Sequence, residues 1–323
     1  MKTIILSSLS PSTSPFSENT TPIVATIGFF DGVHKGHAYI IEEVKRIARR
    51  EEALSMIVTF DRHPRQVLGD EYQPQLLSTL DEKLLLLSKT SIDIAVVVPF
   101  NKETAAMTAQ QFMQQVLHQQ CGVTHLVIGY DNRFGNGREA SYNDYVAYGK
   151  ELGIEVSTVG AFESRGESIS SSVVRRYLLK GEVEMAQQCL GYPYFLTGTV
   201  VEGDHEGRRL GFPTANLMPH DVHKLVPANG VYAVKVRLPH SVEMKRGIMN
   251  IGTRPTFGKT ERTLETHILE YDDDLYGQTL QVFFVHRLRE EQTFDNLEML
   301  IQQIEEDKNI ASQQFKLDSD DNN

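Results

Sequence analysis

The feature that most constrains this chain is a change of rhythm part-way along it. Up to about Gly160, short β-branched runs ("IVATIGFF", "LSMIVTF", "IDIAVVV", "THLVIG", "IEVSTV") alternate with stretches of helical period. Ile40, Val44, Ile47 and Ala48, for example, follow the i, i+4, i+7, i+8 spacing of one helix face. Strands alternating with helices require a parallel α/β sheet, and runs this continuously apolar imply helices over both of its faces. From about Tyr194 the pieces "YFLTGTVVEG", "GVYAVKVRL", "GIMNIG", "LETHILEY" and "TLQVFFVHRL" follow one another through Gly, Pro and Asn turns with no helical period between them. That pattern predicts an all-β unit, closed as a small barrel. Leu297, Leu300, Ile301 and Ile304 predict a final helix, after which "KLDSDDNN" is too polar to pack. Two domains are expected, residues 1–187 and 188–323, with "SLSPSTSPFSENTTP" a mobile surface loop near the start.

Composition narrows the function classes. With 32 Lys and Arg against 43 Asp and Glu, the net charge of −11 disfavours a general role on nucleic acid or membrane surfaces. Cys121 and Cys189 stand in no metal-type spacing and form no disulfide framework, which fits a reducing cytoplasm. The N-terminus lacks the apolar stretch of a signal peptide, and no run approaches the ~20 apolar residues of a membrane span, so a soluble cytoplasmic protein is expected.

Chemistry enters at "GFFDGVHKGHAYII", where the first strong strand gives way to a helix, the edge at which open α/β sheets bind ligands. Gly28, Gly32 and Gly36 let the backbone approach a ligand, and a helix beginning near Gly36 offers N–H groups to a phosphate. His34 and His37 are placed to donate to phosphate oxygens as charge develops. Asp31 is either a ligand-facing group or a cap of the turn. No GxxxxGK[ST] loop occurs, so a nucleotide site here is of another design.

"HKGH" after "GFFDGV" resembles the HxGH signature of the nucleotidylyltransferase superfamily, which implies a Rossmann-like sheet and attack on a nucleotide α-phosphate. Gly28, Phe30, Asp31 and Gly36 then become nucleotide-binding candidates, and His34 and His37 catalytic ones. "SISSSVVRRYL" resembles the superfamily's second motif, ISSTxxR, with Ser170, Ser171 and Ser172 as helix caps and phosphate ligands and Arg175 as a catalytic cation. Ser172 replaces the usual Thr and keeps its hydroxyl. "IGYDNRFGNG" matches a segment of the form Gx[DN]FxFG through Asp131 and Phe134, but Asn132 stands where Phe is usual. "TFDRHP" resembles a flavin-side loop, making Asp61 and Pro64 flavin-binding candidates.

The second domain narrows the resemblance. "GTVVEGDHEGRRLGFPTANL" is similar to the riboflavin kinase signature, and the chain from about Ile23 to Ile304 resembles the bifunctional riboflavin kinase/FAD synthetases of prokaryotes. Gly203, Gly207 and Gly211 read as a flap over polyphosphate, Arg208 or Arg209 as its positive charge, and Pro213 as a fixed point before Thr214 and Asn216. Thr214 and Asn216 are hard-oxygen ligands suited to Mg²⁺, the role that the resemblance assigns them. Glu265 in "RTLETHI" matches the family's catalytic base, sharing one strand face with His267 while Thr266 and Ile268 take the other. Asn229 and Tyr232 in "ANGVYAV" become flavin-pocket candidates, whereas "DDDLYG" reads as a solvated turn and not a metal site.

The resemblance implies two reactions in sequence. The barrel phosphorylates riboflavin with Mg-ATP to give FMN, and the α/β domain joins FMN to AMP from a second ATP, giving FAD and pyrophosphate. An adenylyl- or cytidylyltransferase with another acceptor, and a flavin-sequestering protein without turnover, are the competing readings. The second signature opposes the first of these, and the retention of Glu265, Thr214, Asn216, His34 and His37 opposes the second.

Overall fold

The computed structural model describes every residue except 8–13, 70–74, 131, 165–166, 204–206, 208–210, 257–258 and 321–323. Asp131 and Arg208 (with Arg209) therefore lie outside the described residues. Contacts divide the chain into two compact units, Met1–Ser171 and Ser172–Asn323.

The first unit is built on a six-stranded parallel sheet: β1 (Lys2–Ile5), β2 (Ile23–Ile27), β3 (Leu54–Phe60), β4 (Ile94–Val98), β5 (His125–Gly129) and β6 (Glu155–Val159). Their order across the sheet is β1-β4-β3-β2-β5-β6. Every residue of β2, β4 and β5 is buried, as the continuous apolar runs require when helices cover both faces. β1 is absent from the sequence reading. Its four residues are mostly exposed and show no alternation, and only its parallel register with β4 makes it a strand.

The connecting helices are α1 (Lys35–Arg50), α2 (Pro64–Leu68), α3 (Leu80–Ser88), α4 (Lys102–Ala106), α5 (Ala109–Phe112) and α6 (Tyr142–Leu152), with α5 running on as a π-helix over Met113–Gln120. Thr79 and Glu82 form a capping box at the start of α3, which fixes where that helix begins. The N-terminal loop is tied down in its later part: Ser14 Oγ donates to Gln120 O at 2.9 Å, and Phe16 packs on the core. A short hairpin, β7 (Glu163–Ser164) and β8 (Glu167–Ser168), follows β6.

α7 (Ser171–Leu179), which lies in the second unit from Ser172 on, and α8 (Val183–Leu190) precede a closed antiparallel barrel of six strands. These are β9 (Phe195–Val201), β10 (Ala215–Pro219), β11 (Gly230–Arg237), β12 (Met244–Thr256), β13 (Lys259–Ile268) and β14 (Thr279–Arg289). The two helices belong to this unit because they bond to it: Glu184 accepts from Arg287 N at 3.0 Å, and Ala228 N donates to Leu178 O at 3.0 Å. A reading from hydrophobic rhythm groups helices with the helical half, and so draws the line near 187 instead.

The last helix, α9 (Leu297–Asp320), is longer than its apolar spacing indicated and runs on through "KLDSD", where Lys316 and Leu317 are exposed. Ala311 and Phe315 are buried against Val231, Ala233, Ile248 and Val285 of the barrel, which carries the helix past the point where its own pattern fades. Asp307, 2% exposed, accepts bidentately from Arg289 of β14 at 2.9 Å, fixing the helix across the barrel end.

Candidate functional site

The sheet order reverses between β2 and β5, so the chain leaves these neighbours in opposite directions and opens a crevice at their C-terminal ends. From "GFFDGVHKGH", Gly28, Phe29, Phe30, His34, Gly36 and His37 stand at this crevice. Phe30 (φ 54°), Gly32 (φ 74°) and Val33 (φ 37°) all adopt left-handed backbone, a concentration of strain that persists only where the surroundings enforce it. Asp31 is the enforcement. Its buried carboxylate accepts from Leu77 N at 3.0 Å, Ser78 N at 2.9 Å and Ser78 Oγ at 3.2 Å, while Ser78 Oγ accepts from Gly32 N at 2.9 Å. Of the two readings left open by the sequence, the geometry is that of a group holding the turn.

His34 is the N-cap of α1, its Nδ1 accepting from His37 N at 3.3 Å, so Nδ1 carries no proton and Nε2–H is the ring's donor. The two imidazoles stack at 3.7 Å between centroids, and His37 also meets the Phe30 ring edge-on at 5.0 Å. Gly36 makes this possible, because a Cβ there would lie 3.0 Å from Ile169 O and 3.1 Å from the His34 ring. Burial, then His34, then Lys83 hold the His37 pKa well below 6.5, so the ring is neutral at pH 7. His37 Nδ1 is nonetheless buried with no hydrogen-bond partner among the described residues, an unmet polar group at the crevice.

Two cavities adjoin here. One, of about 280 Å³, is lined by His34, Gly36, His37, Phe30 and Ser168–Ser171; the other, of about 350 Å³, is lined by Phe60, Pro64, Phe100, Phe112 and Phe134. Gly28, Phe29, Asn132, Arg133 and Arg138 line both. Asn132, in the place of the usual aromatic, donates through Nδ2 to Ile27 O and so stands in the shared wall. Ser171 Oγ donates to Asp31 O at 3.0 Å. The ISSS motif itself crosses the unit division: Ser170 and Ser171 end the first unit, while Ser172 and Arg175 open the second on α7. Asp61 is occupied structurally, its Oδ1 accepting from Phe100 N at 2.7 Å, whereas Pro64 opens α2 at the aromatic cavity wall.

Sequence reasoning missed Lys83, Arg133 and Arg138. The arginines are exposed and bracket two glycines in "NRFGNGR", a signal that could have been read. Lys83 is 2% exposed on an otherwise ordinary helix and gave no such signal.

In the barrel, β13 alternates as expected: Glu265 and His267 line a cavity of about 250 Å³, while Thr266 and Ile268 face a smaller one of about 50 Å³. Register places Asn216 of β10 and Asn250 of β12 on either side of Glu265, so the three side chains form one row. Asn250 was not singled out from sequence, because only cross-strand pairing brings it beside Glu265. Thr214 lines both cavities, and Asp272–Asp274 form an exposed turn beside it on the smaller one. His267 Nδ1 donates to Pro213 O at 2.8 Å, which orients the turn leading to Thr214. Gly203 and Gly207 fit closely over this row: a Cβ would lie 2.2 Å from Asn216 Nδ2 in the first case and 3.0 Å from Thr214 Oγ1 in the second. Gly211 (φ 83°) has open space about it and supplies backbone freedom instead.

Asn229 and Tyr232 are not brought to this cavity. Tyr232 is fully buried, its hydroxyl donating to Ala228 O at 2.6 Å and its ring meeting Phe284 edge-on. Asn229 donates to Glu291 at 3.0 Å and accepts from Arg262 at 3.1 Å. Among the described residues, the one His/Glu grouping with metal-compatible spacing is Glu51, His125 and Glu155, at the N-terminal end of β5 and β6 and so at the opposite edge of the sheet from the cavities.

A family model for FAD synthetase matches residues 16–173, and one for riboflavin kinase matches 190–315. The bifunctional riboflavin kinase/FMN adenylyltransferase of Escherichia coli (strain K12) is 37% identical over 294 residues, covering 91% of this chain and 93% of the relative. This chain belongs to that bifunctional family. The family members of Listeria monocytogenes and Bacillus subtilis are 36% and 33% identical, covering 88% and 92% of this chain and 90% and 94% of their own lengths. A solved structure named as a macrolide-efflux protein from Streptococcus pneumoniae is 28% identical with a TM-score of 0.86, covering 97% of this chain and 99% of that one. No described helix of this family member is long and apolar enough to cross a membrane.

Proposed function

We propose that this chain makes FAD from riboflavin in two ATP-dependent steps, phosphorylation to FMN in the barrel and adenylylation of FMN in the α/β unit. The observation that carries the reading is that each step's residues stand at a cavity of their own: Glu265 and Thr214 at one, the stacked His34–His37 pair at the other. The test is incubation with riboflavin and Mg-ATP, with products separated by chromatography. FMN and FAD together are expected; tight flavin binding without either product would mean a sequestering protein.

In the barrel, Glu265 takes the proton of the ribityl terminal hydroxyl as that oxygen bonds to the γ-phosphorus and the bond to the β-phosphate oxygen breaks, releasing ADP. Thr214 Oγ and the Asn216 amide oxygen are the proposed Mg²⁺ ligands. Their neutral hard-oxygen chemistry, and the close glycine cover over them, suit a cation that takes its remaining ligands from ATP and water. When bound, Mg²⁺ neutralises phosphate charge. Gly203, Gly207, Arg208, Gly211 and Pro213 are assigned to the polyphosphate.

In the α/β unit an FMN phosphate oxygen bonds to the α-phosphorus of ATP as the α–β bridge breaks, releasing pyrophosphate. The phosphate is already ionised near neutral pH, so no general base is required. The imidazole of His34 and the neutral one of His37 donate to the developing charge, and the backbone at Gly28, Phe30 and Gly36 lets the phosphates approach. Asp131, Ser170, Ser171, Ser172 and Arg175 take nucleotide or phosphate roles on their motif match. The flavin is assigned to the aromatic cavity beside Pro64, with Asp61 bracing its loop. Asn229 and Tyr232 remain flavin-side candidates in the barrel through the fold around the cavity and not through its lining. We assign the functional domains to 1–187 and 188–323; both matched segments are compatible with that division, whereas the compact units divide earlier, at Ser171. A cytoplasmic setting is supported by Cys121 and Cys189, both buried thiols outside any disulfide.

A further inference from the structure

We infer that Lys83 is a positioning residue for adenylyl transfer, clamping the loop that carries His34 and His37 to the loop that carries Pro64. The inference rests on the proposed adenylyltransferase role of the first unit. Lys83 reaches from α3 with its Nζ donating to Phe29 O at 3.1 Å and to Phe60 O at 2.7 Å, and the ammonium stands 4.1 Å from the Phe29 ring centroid. β2 ends at Ile27 and β3 at Phe60, so these carbonyls lie where the two strands stop pairing and their loops diverge. Buried carbonyls at such a point need donors from elsewhere. Thr59 Oγ1 already supplies one to Phe29 O at 3.1 Å.

The charge is what needs explaining, because neutral donors would satisfy both carbonyls without the cost of burying an ammonium. Among the described residues no carboxylate pairs with Lys83. Asp31 and Asp61 are the opposite charges that support it, and both are committed to backbone amides, Asp31 to Leu77 and Ser78, Asp61 to Phe100. His37 feels the same charge: its pKa is lowered by burial first, then by His34 and by Lys83. Burial brings Lys83 itself down to about 8, which still leaves it mostly charged at neutral pH. One buried cation therefore fixes two diverging loops, helps to keep His37 neutral, and places positive potential beneath cavities assigned to two phosphate-bearing substrates. Phe29 transmits the clamp directly: it lines both cavities, and its ring meets His63, the cap of α2, at 4.8 Å.

Lys83→Met keeps the length and removes both charge and donors. In the full chain it is expected to lower kcat for FAD formation from FMN by roughly 10- to 100-fold, as loss of alignment does, with KM for FMN and ATP changed less than about threefold. Riboflavin phosphorylation should be unaffected. The His37 imidazole, followed by NMR, should titrate closer to 6.5 in the variant, a shift that a purely structural brace would not produce. Lys83→Arg, which keeps the charge and the donors, should retain more activity and the low His37 titration. Parental kcat in Lys83→Met, an unmoved His37 titration, or loss of the first unit's fold in both variants would each overturn the inference. Should the parent chain fail to adenylylate FMN at all, the proposed function falls and the inference with it; an active parent with indifferent variants removes the inference alone.

Discussion

Two residues carry predictions that separate the chemistries. His37→Ala removes one donor to the transition state and should slow FAD formation from FMN by roughly 10² to 10³ while leaving FMN formation near the parental rate. Glu265→Gln keeps size but removes the proton acceptor, so FMN formation should fall by roughly 10² to 10⁴ with FAD formation from supplied FMN intact. An equal loss of both activities in either folded variant would mean that the assignments are wrong. His37 also predicts a stability trend. Its folded pKa lies below 6.5, so on acidification the unfolded chain binds a proton that the folded chain excludes. Its contribution is therefore complete above pH 6.5 and is lost as pH falls toward the folded value. Urea midpoints at successive pH values should fall less steeply below pH 6.5 in His37→Gln than in the parent.

At the scale of the element, α9 is held by the largely buried Arg289–Asp307 ion pair as well as by its apolar face. Removing one partner of a buried pair strands the other charge, at a cost of about 3 to 5 kcal/mol. Asp307→Ala should therefore loosen the helix from the barrel and depress riboflavin phosphorylation, since Leu300 and Ile304 of the same helix line the barrel cavity with Glu265. Denaturant midpoints and the two activities measured in parallel would check this, with FAD formation from FMN expected to survive. α1 shows the complementary case. Its start near Gly36 was legible from the local pattern, whereas the cap by His34 and the close approach of Ile169 O to Gly36 came only with the fold.

For the whole molecule, two units with separate cores and separate cavities predict separable activities. A mixture of His37→Ala and Glu265→Gln chains should convert riboflavin to FAD, because FMN released by one chain is substrate for the other. Failure of the mixture, with each single variant active in its remaining step, would show that FMN does not pass through solution. Excess EDTA should stop both steps, given hard-oxygen ligands and polyphosphate substrates; full kinase activity without metal would remove the role given to Thr214 and Asn216.

What the sequence by itself determined is what depends on near neighbours along the chain. The buried strands, the change from parallel sheet to barrel, the place of the histidine loop between strand and helix, and the face shared by Glu265 and His267 all follow from spacing over a few residues. What the tertiary structure decided depends on pairs far apart in sequence. Lys83 looks like any helix-surface lysine until Phe29 O and Phe60 O are placed above it. Asn250 gains its meaning from register with Glu265, and Asp307 from Arg289. β1 exists only through β4, and α7 and α8 join the barrel through Leu178 and Glu184. The physical reason is the same in each case: a buried polar group or an edge strand has no stable state of its own, and the partner that provides one is chosen by the fold.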